Sequence, residues 1–188
     1  MPQPLLVTFI AGTSGAWRVE RIDAVVGDSL TMAEALDVVE SPNFPERANN
    51  AAWQLSGVTS NTRYTSRTEV DALVAVQQGL GRPQATRAAL IPIRKSDAWW
   101  ALAQDERRAI LEEQSRHIAI GLDYLPGIAR RLHHSRELGG PFDFLTWFEY
   151  APEHSDAFED LVLRLRQTPE WCYVTREVDI RLTRHPRS

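Results

Sequence analysis

The chain carries one cysteine, Cys172, in 188 residues. That excludes an internal disulfide and a cysteine-rich metal site, so any cofactor is held by other groups. Positive charge is not in surplus either: 21 Lys and Arg stand against 25 Asp and Glu, a net charge of −4. The cationic footprint of a nucleic-acid or anionic-membrane binder is missing, and any pull on an anionic substrate must come from one or two buried cations. Long apolar runs are missing too. The opening PLLVTFIA is too short to span a bilayer and follows no basic segment, so it reads as a first strand and the chain as a cytoplasmic protein. Against these absences stand 43% hydrophobic residues and six tryptophans, enough to fill a sizeable core in one domain or two small fused halves. Trp99 and Trp100 stand together, and such rings either fill core or wall a flat ligand.

The patterning predicts strands over 5–11 and 17–26, joined by a turn at Gly12, Ser14 and Gly15. From Gly27 to Asn50 the pattern weakens, with Pro42 and Pro45 in an excursion. A strand is expected over 52–58, then the polar loop GVTSNTRYTSR. The capping box of Ser66 and Glu69 starts a helix that runs to about Gly79. Val70, Leu73 and Val74 form its apolar face, and Gln77 shares that face, where an amide needs a partner. Gly81 and Pro83 break the chain. A strand is expected over 88–95, whose Pro92 argues for an edge or a bulge, followed by a helical run over 99–125 that stops at Pro126. Strands over 128–136 and 142–150 flank a turn at Gly139, Gly140 and Pro141. Pro152 opens a helix, and a last strand covers 173–183. Strand, helix, strand, strand, helix, strand is the ferredoxin-like order. The first half reads as a shortened, degenerate copy without a clear sequence repeat.

Chemistry concentrates in RHIAIGLDYLPGIARRLHHSRELGGPFDFLTWFEY, residues 116–150. His117 lies near the end of the helical run. An imidazole there could ligate haem iron, although a histidine so placed is more often a hydrogen-bonded helix residue. Alternation puts Arg130, Leu132 and His134 on one strand face and Arg131 and His133 on the other, which argues against a metal site built from the two adjacent histidines. Arg130 could hold a small oxyanion through its planar fork or be a surface residue of a basic patch. Phe142, Phe144, Thr146, Phe148 and Tyr150 form an aromatic stripe, which suits ordinary core or the wall of a dry pocket.

The strings WQLSGVTSNTRYTSRTE, ALIPIRKSDAWWAL and ARRLHHSRELGGPFDFLTWFE resemble successive signature blocks of the chlorite dismutase family, in family order over roughly residues 50–182, most of the chain. The resemblance implies an α+β fold of two ferredoxin-like halves forming a dimeric α+β barrel type subunit. The shortened N-terminal half would cover 1–87, and the C-terminal half, 88–188, would carry the haem site in one structural domain. It further implies haem b (iron protoporphyrin IX), with His117 as proximal iron ligand and Arg130, thirteen residues later, as the distal catalytic arginine. Thr146 and Phe148 match the family's DF-x-T-x-F strand, and Leu132 shares Arg130's face beside the cofactor. Asn61, Tyr64 and Trp99 resemble residues near the haem propionates, and Gln77 the amide that bonds the distal arginine. Lys95 and Glu177 are the candidates to support His117 from behind, with Glu170 a less favoured substitute and a solvated charge the alternative for Glu177. The implied activity is chlorite O2-lyase: chlorite, or another small anionic oxidant, is converted to chloride and dioxygen with O–O bond formation at haem iron. Coproporphyrin-haem decarboxylase-like or peroxidase-like chemistry and a non-enzymatic haem carrier or sensor are the alternatives. The short first half resembles the compact branch of the family, which implies a homodimer.

Overall fold

The computed structural model describes residues 4–59 and 79–185. Eight strands, β1 (Leu6–Gly12), β2 (Trp17–Val26), β3 (Ala35–Ser41), β4 (Trp53–Thr59), β5 (Arg87–Lys95), β6 (Ile128–His134), β7 (Phe144–Tyr150) and β8 (Val174–Thr183), close into one barrel. All neighbouring pairs are antiparallel. Around the ring, β4-β1-β3-β2 is followed by β8-β5-β7-β6. Each half therefore runs fourth, first, third, second, so the two ferredoxin-like halves expected from sequence share one strand order.

The halves differ in what joins the strands. In the second, short helices α1 (Asp97–Ala101), α2 (Gln104–Arg108) and α3 (His117–Asp123) connect β5 to β6, and α4 (Ser155–Arg166) connects β7 to β8. In the first, a turn joins β1 to β2 and residues 42–52 join β3 to β4 without a helix. The helix expected from Ser66 to Gly79 lies outside the described residues. Among the described residues no helix is long and apolar enough to cross a membrane.

Strand alternation builds two apolar layers. Val7, Phe9, Leu36, Leu55, Leu90, Leu145, Trp147, Val178 and Ile180 point into the barrel. Ala89, Ile91, Ile93, Phe148 and Tyr150 point outward and are covered by Phe158, Leu161, Val162 and Leu165 of α4. Those four recur at the three- and four-residue spacing that makes one helix face. Burying each such side chain contributes roughly 1.5–3 kcal/mol.

The barrel closes tightly at β4–β6, a seam of two residue pairs, Val58 with His134 and Thr59 with His133. A Cβ at Gly57 would stand 2.7 Å from the Cβ of His133, so only glycine admits that approach. His133 is fully buried, with Nδ1 2.9 Å from the Leu145 carbonyl. A carbonyl only accepts, so Nδ1 holds the proton, and Nε2 accepts from Arg131 Nε at 3.1 Å. Burial pushes the imidazole down to about 4.

Three sequence expectations change here. The stretch after Gly27 contains β3, which carries two acidic residues and buries only Ala35 and Leu36. Its order comes from a seven-residue ladder with β1, a partnership no local pattern announces. Pro92 marks neither an edge nor a bulge: β5 is paired on both sides, and its ladder to β8 lapses between Leu90 and Ile93 without a register shift there. The missing proline N–H is accommodated by that lapse. The helical run over 99–125 is not one helix. After α2 it widens into a π-helical turn over Ala109–Gln114, and Arg116 adopts a left-handed conformation, φ 51°, before α3 begins.

Candidate functional site

A cleft lies between the outward face of β5, β6 and β7 and the helices of the second half. It encloses about 910 Å³ including its open mouth, within the range of cofactor sites. Ile91, Ile93, Leu132, Phe144, Thr146 and Phe148 form the sheet wall, and Trp99, Leu111, His117, Ile118 and Trp171 come from the opposing segments. Arg130 brings a cation into this mainly apolar slot. Thus His117, Arg130, Leu132, Trp99, Thr146 and Phe148, singled out in the sequence, meet in one place. Asn61, Tyr64 and Gln77 lie outside the described residues.

His117 is the first residue of α3. The π-helical turn and the left-handed Arg116 break the helix immediately before it and reset its direction. Left-handed φ in a non-glycine residue costs on the order of 1 kcal/mol or more, and here it fixes where the imidazole points. Nδ1 of His117 stands 2.8 Å from Oε2 of Glu170. The other Glu170 oxygen accepts from Lys95 Nζ at 2.7 Å, and the Glu170 main-chain N–H donates to Ser115 Oγ at 3.0 Å. Lys95 Nζ also lies 4.0 Å from the centroid of the Trp99 ring. The Trp171 ring runs nearly parallel to the imidazole, at 16° and 6.4 Å between centroids.

Burial alone would raise the Glu170 carboxyl, but attraction and hydrogen bonds from His117 and Lys95 outweigh it and hold the group at about 2. Glu170 is therefore ionised at neutral pH. Burial draws the Lys95 ammonium down, opposed by Glu170. Burial also lowers Arg130, with Glu112 and Glu170 acting the other way. A guanidinium starts so high that it stays charged at any working pH.

Glu177 is not the partner of His117. Its carboxylate accepts from Arg166 at 2.8 Å and from the Trp171 indole at 2.7 Å, and it is fully buried. Nor is it a solvated charge. The β8 face carrying Glu177, Asp179 and Arg181 lies under α4, where Arg166 bonds Glu177 and Asp179, and Arg181 bonds Asp179 and Glu159. Strand alternation turns Glu177 away from the barrel interior, opposite to Val178 and Ile180, but that outward side is itself covered. The carboxylate at His117 comes instead from Glu170, in the short 3-10 turn Pro169–Tyr173. Pro169, at the first helical position, was its one local signal. Trp171 and Ser115 were also missed, because neither belongs to a periodic face. Phe142 leaves the aromatic stripe: β7 starts at Phe144, and Phe142 packs inside the barrel.

Two observations test whether a haem fits. An ionised carboxylate at Nδ1 fixes the proton there and leaves the lone pair on Nε2, and Nε2 has no hydrogen-bond partner among the described residues. The indole N–H of Trp99, 1% exposed on the cleft wall, likewise lacks a partner among the described residues. A flat metalloporphyrin with acidic side arms answers both needs, and the apolar walls suit its faces. The residues present fit the group.

Barrels assembled from two ferredoxin-like halves, with a histidine-bearing cleft on one of them, form a class of α+β barrel proteins, and topology alone puts this chain in it. Comparison with known proteins resolves the class further. The model of the chlorite dismutase family matches residues 33–185, and the chain belongs to that family. The crystal structure of dimeric chlorite dismutases from Nitrobacter winogradskyi is 58% identical in sequence, with a TM-score of 0.88 over 95% of this chain and 99% of that one. A chlorite dismutase mutant from Candidatus Nitrospira defluvii in complex with cyanide shares the fold at 20% identity, with a TM-score of 0.71 over 95% of this chain and 90% of that one. Chlorite dismutase of Ideonella dechloratans is 36% identical over 89 residues, 47% of this chain; the match spans 29% of that relative's length.

Proposed function

We propose that the chain is a haem b-dependent chlorite O2-lyase that converts chlorite to chloride and dioxygen in the cytoplasm as a homodimer. The observation that carries this reading is the cleft itself, in which a histidine backed by a buried carboxylate shares a mainly apolar slot with Arg130. The 58% identity to the dimeric Nitrobacter winogradskyi chlorite dismutases supports both the activity and the homodimer.

When bound, haem iron supplies the redox chemistry that breaks and remakes the bonds to oxygen. The chain's own residues do the rest. His117 offers Nε2 to the iron, and Glu170, by accepting the Nδ1 proton, makes the imidazole a stronger donor and fixes its plane. Lys95 balances the charge of Glu170 in a setting that water cannot screen. The Trp99 indole N–H, without a partner among the described residues, would serve a propionate. Arg130 draws chlorite in by charge and holds its oxygens through the guanidinium fork. The same fork would keep a chlorine–oxygen fragment in the cleft instead of letting it escape to solvent as hypochlorite. Leu132, Phe144, Thr146 and Phe148 keep the volume around it small and dry.

The test is oxygen evolution in a Clark cell after chlorite is added to haem-loaded protein, with free haemin as control. Near-stoichiometric oxygen is expected. Protein with an intact haem spectrum that releases none refutes the reading and favours porphyrin decarboxylation, a reaction for which an arginine at position 130 has no obvious use.

A further inference from the structure

We infer that Gly121 is a positioning residue for Arg130: its missing side chain is the seat on which the guanidinium rests, and so sets where the fork stands in the cleft. This rests on the proposed function above. Gly121 lies one turn after His117 in α3, on the same helix face, since residues four apart are stacked. It is buried, and a Cβ built on it would stand 3.1 Å from Nη1 and 3.7 Å from Cζ of Arg130. Among the described residues those are the only atoms within 4 Å of that point once the glycine's chain neighbours and its own helix backbone are set aside, so the arginine head defines the space that glycine leaves there.

A glycine inside a helix is unfavourable relative to alanine through backbone entropy alone. Its φ lies outside the left-handed region, because Gly27, Gly81 and Gly139 are the glycines with positive φ. Backbone conformation therefore gives no reason for glycine here; the contact with Arg130 does. The short helix that presents His117 at its first turn thus receives the tip of Arg130 at its second. Ligand and anion-binding group are indexed to one rigid element, not to each other through the cofactor.

The substitution Gly121→Ala separates the two effects. In cofactor-free protein, alanine should raise the melting temperature when placed in an Arg130→Ala background, where helix propensity acts unopposed. In the background that keeps Arg130 it should raise it less or lower it. In haem-loaded protein the guanidinium must give way by a few tenths of an ångström. A misplacement of about 1 Å can cost on the order of a hundredfold, so roughly three- to tenfold is expected. The readout is spectroscopic titration with fluoride, an anion able to accept from Arg130, beside imidazole, a neutral iron ligand. Fluoride should bind several-fold more weakly in Gly121→Ala while imidazole affinity and the Soret band stay as in wild type.

Equal fluoride affinity in the two proteins overturns the inference, as does equal weakening of both ligands, which would mean a distorted cleft. Identical melting shifts in the two backgrounds overturn the contact itself. A wild-type chain that takes up no haem overturns the functional reading, and the inference with it; that result is seen before any variant is compared.

Discussion

Glu170→Gln isolates the charge behind His117. The amide keeps the size of the side chain and one acceptor oxygen but abolishes the anion that His117 and Lys95 both address. The difference between an ordinary carboxyl at 4.5 and about 2 here corresponds to ~3 kcal/mol of preference for the ionised form within the fold. Replacement also leaves the Lys95 side chain, 3% exposed, opposite a neutral group. Breaking a buried pair in this way costs roughly 3–5 kcal/mol. Urea unfolding of cofactor-free Glu170→Gln at pH 7 should therefore show stability lower by about 3 kcal/mol. Adding Lys95→Met should restore part of that, because the stranded ammonium is then gone. In haem-loaded protein the imidazole becomes a weaker donor and ferric iron loses more than ferrous. Since a tenfold change in equilibrium is ~59 mV for one electron, a rise of roughly 50–100 mV in the ferric/ferrous midpoint is expected. Glu177→Gln should destabilise the fold yet leave the midpoint close to wild type. If Glu170→Gln unfolds within ~0.5 kcal/mol of wild type, below the worth of an ordinary hydrogen bond, and its midpoint does not move, the reasoning fails. It fails equally if Glu177→Gln shifts the midpoint as far as Glu170→Gln does.

Arg130→Ala should lower kcat/KM for chlorite by roughly a hundredfold, the scale for losing a transition-state donor, and release more hypochlorite, measured with a chlorine-trapping dye beside the oxygen electrode; full turnover without extra hypochlorite would remove the retention role. Acid should destabilise the chain in two steps. His133, held near 4 in the fold against an ordinary 6.5, contributes stability that is complete above pH 6.5 and drains away as pH falls to about 4. Glu170 follows, its contribution complete above 4.5 and lost as pH falls towards 2. Urea midpoints from pH 7 to 4 should fall, and His133→Gln should flatten that slope; an unchanged slope would mean that His133 does not titrate there. Arg166→Met takes from the buried Glu177 its cationic partner and from Asp179 one of its two arginines, and should cost about 3 kcal/mol in urea unfolding with the haem spectrum retained, whereas no loss would mark the network as energetically neutral.

Periodic faces were legible and local breaks were not. The strands expected over 88–95, 128–136 and 173–183 correspond to β5, β6 and β8, with ends that differ by one or two residues, and Phe144, Thr146 and Phe148 were legible because they share one strand face. β3 was invisible because it borrows its order from β1. The long helix was drawn too smoothly because a π-helical turn and a left-handed Arg116 leave no compositional mark, yet that break is what aims His117. Glu170 lost to Glu177 for a related reason. Alternation says which way a strand residue points but not what covers that side, and a carboxylate in a Thr-Pro-Glu turn has no period to be read by.

In a ring of eight strands each has a neighbour on both sides, so among the described residues the open edge is confined largely to the parts of β4 and β6, and of β2 and β3, beyond their two-pair seams, and an edge is where sheets grow. Among the described residues, then, the strand edge that one copy of this chain could lend to another is limited to those parts. Subunit contact and main-chain pairing are therefore largely independent: a dimer could dissociate on dilution while every rung of each barrel stays in place, and a longer pairing edge would open only when a strand leaves the ring.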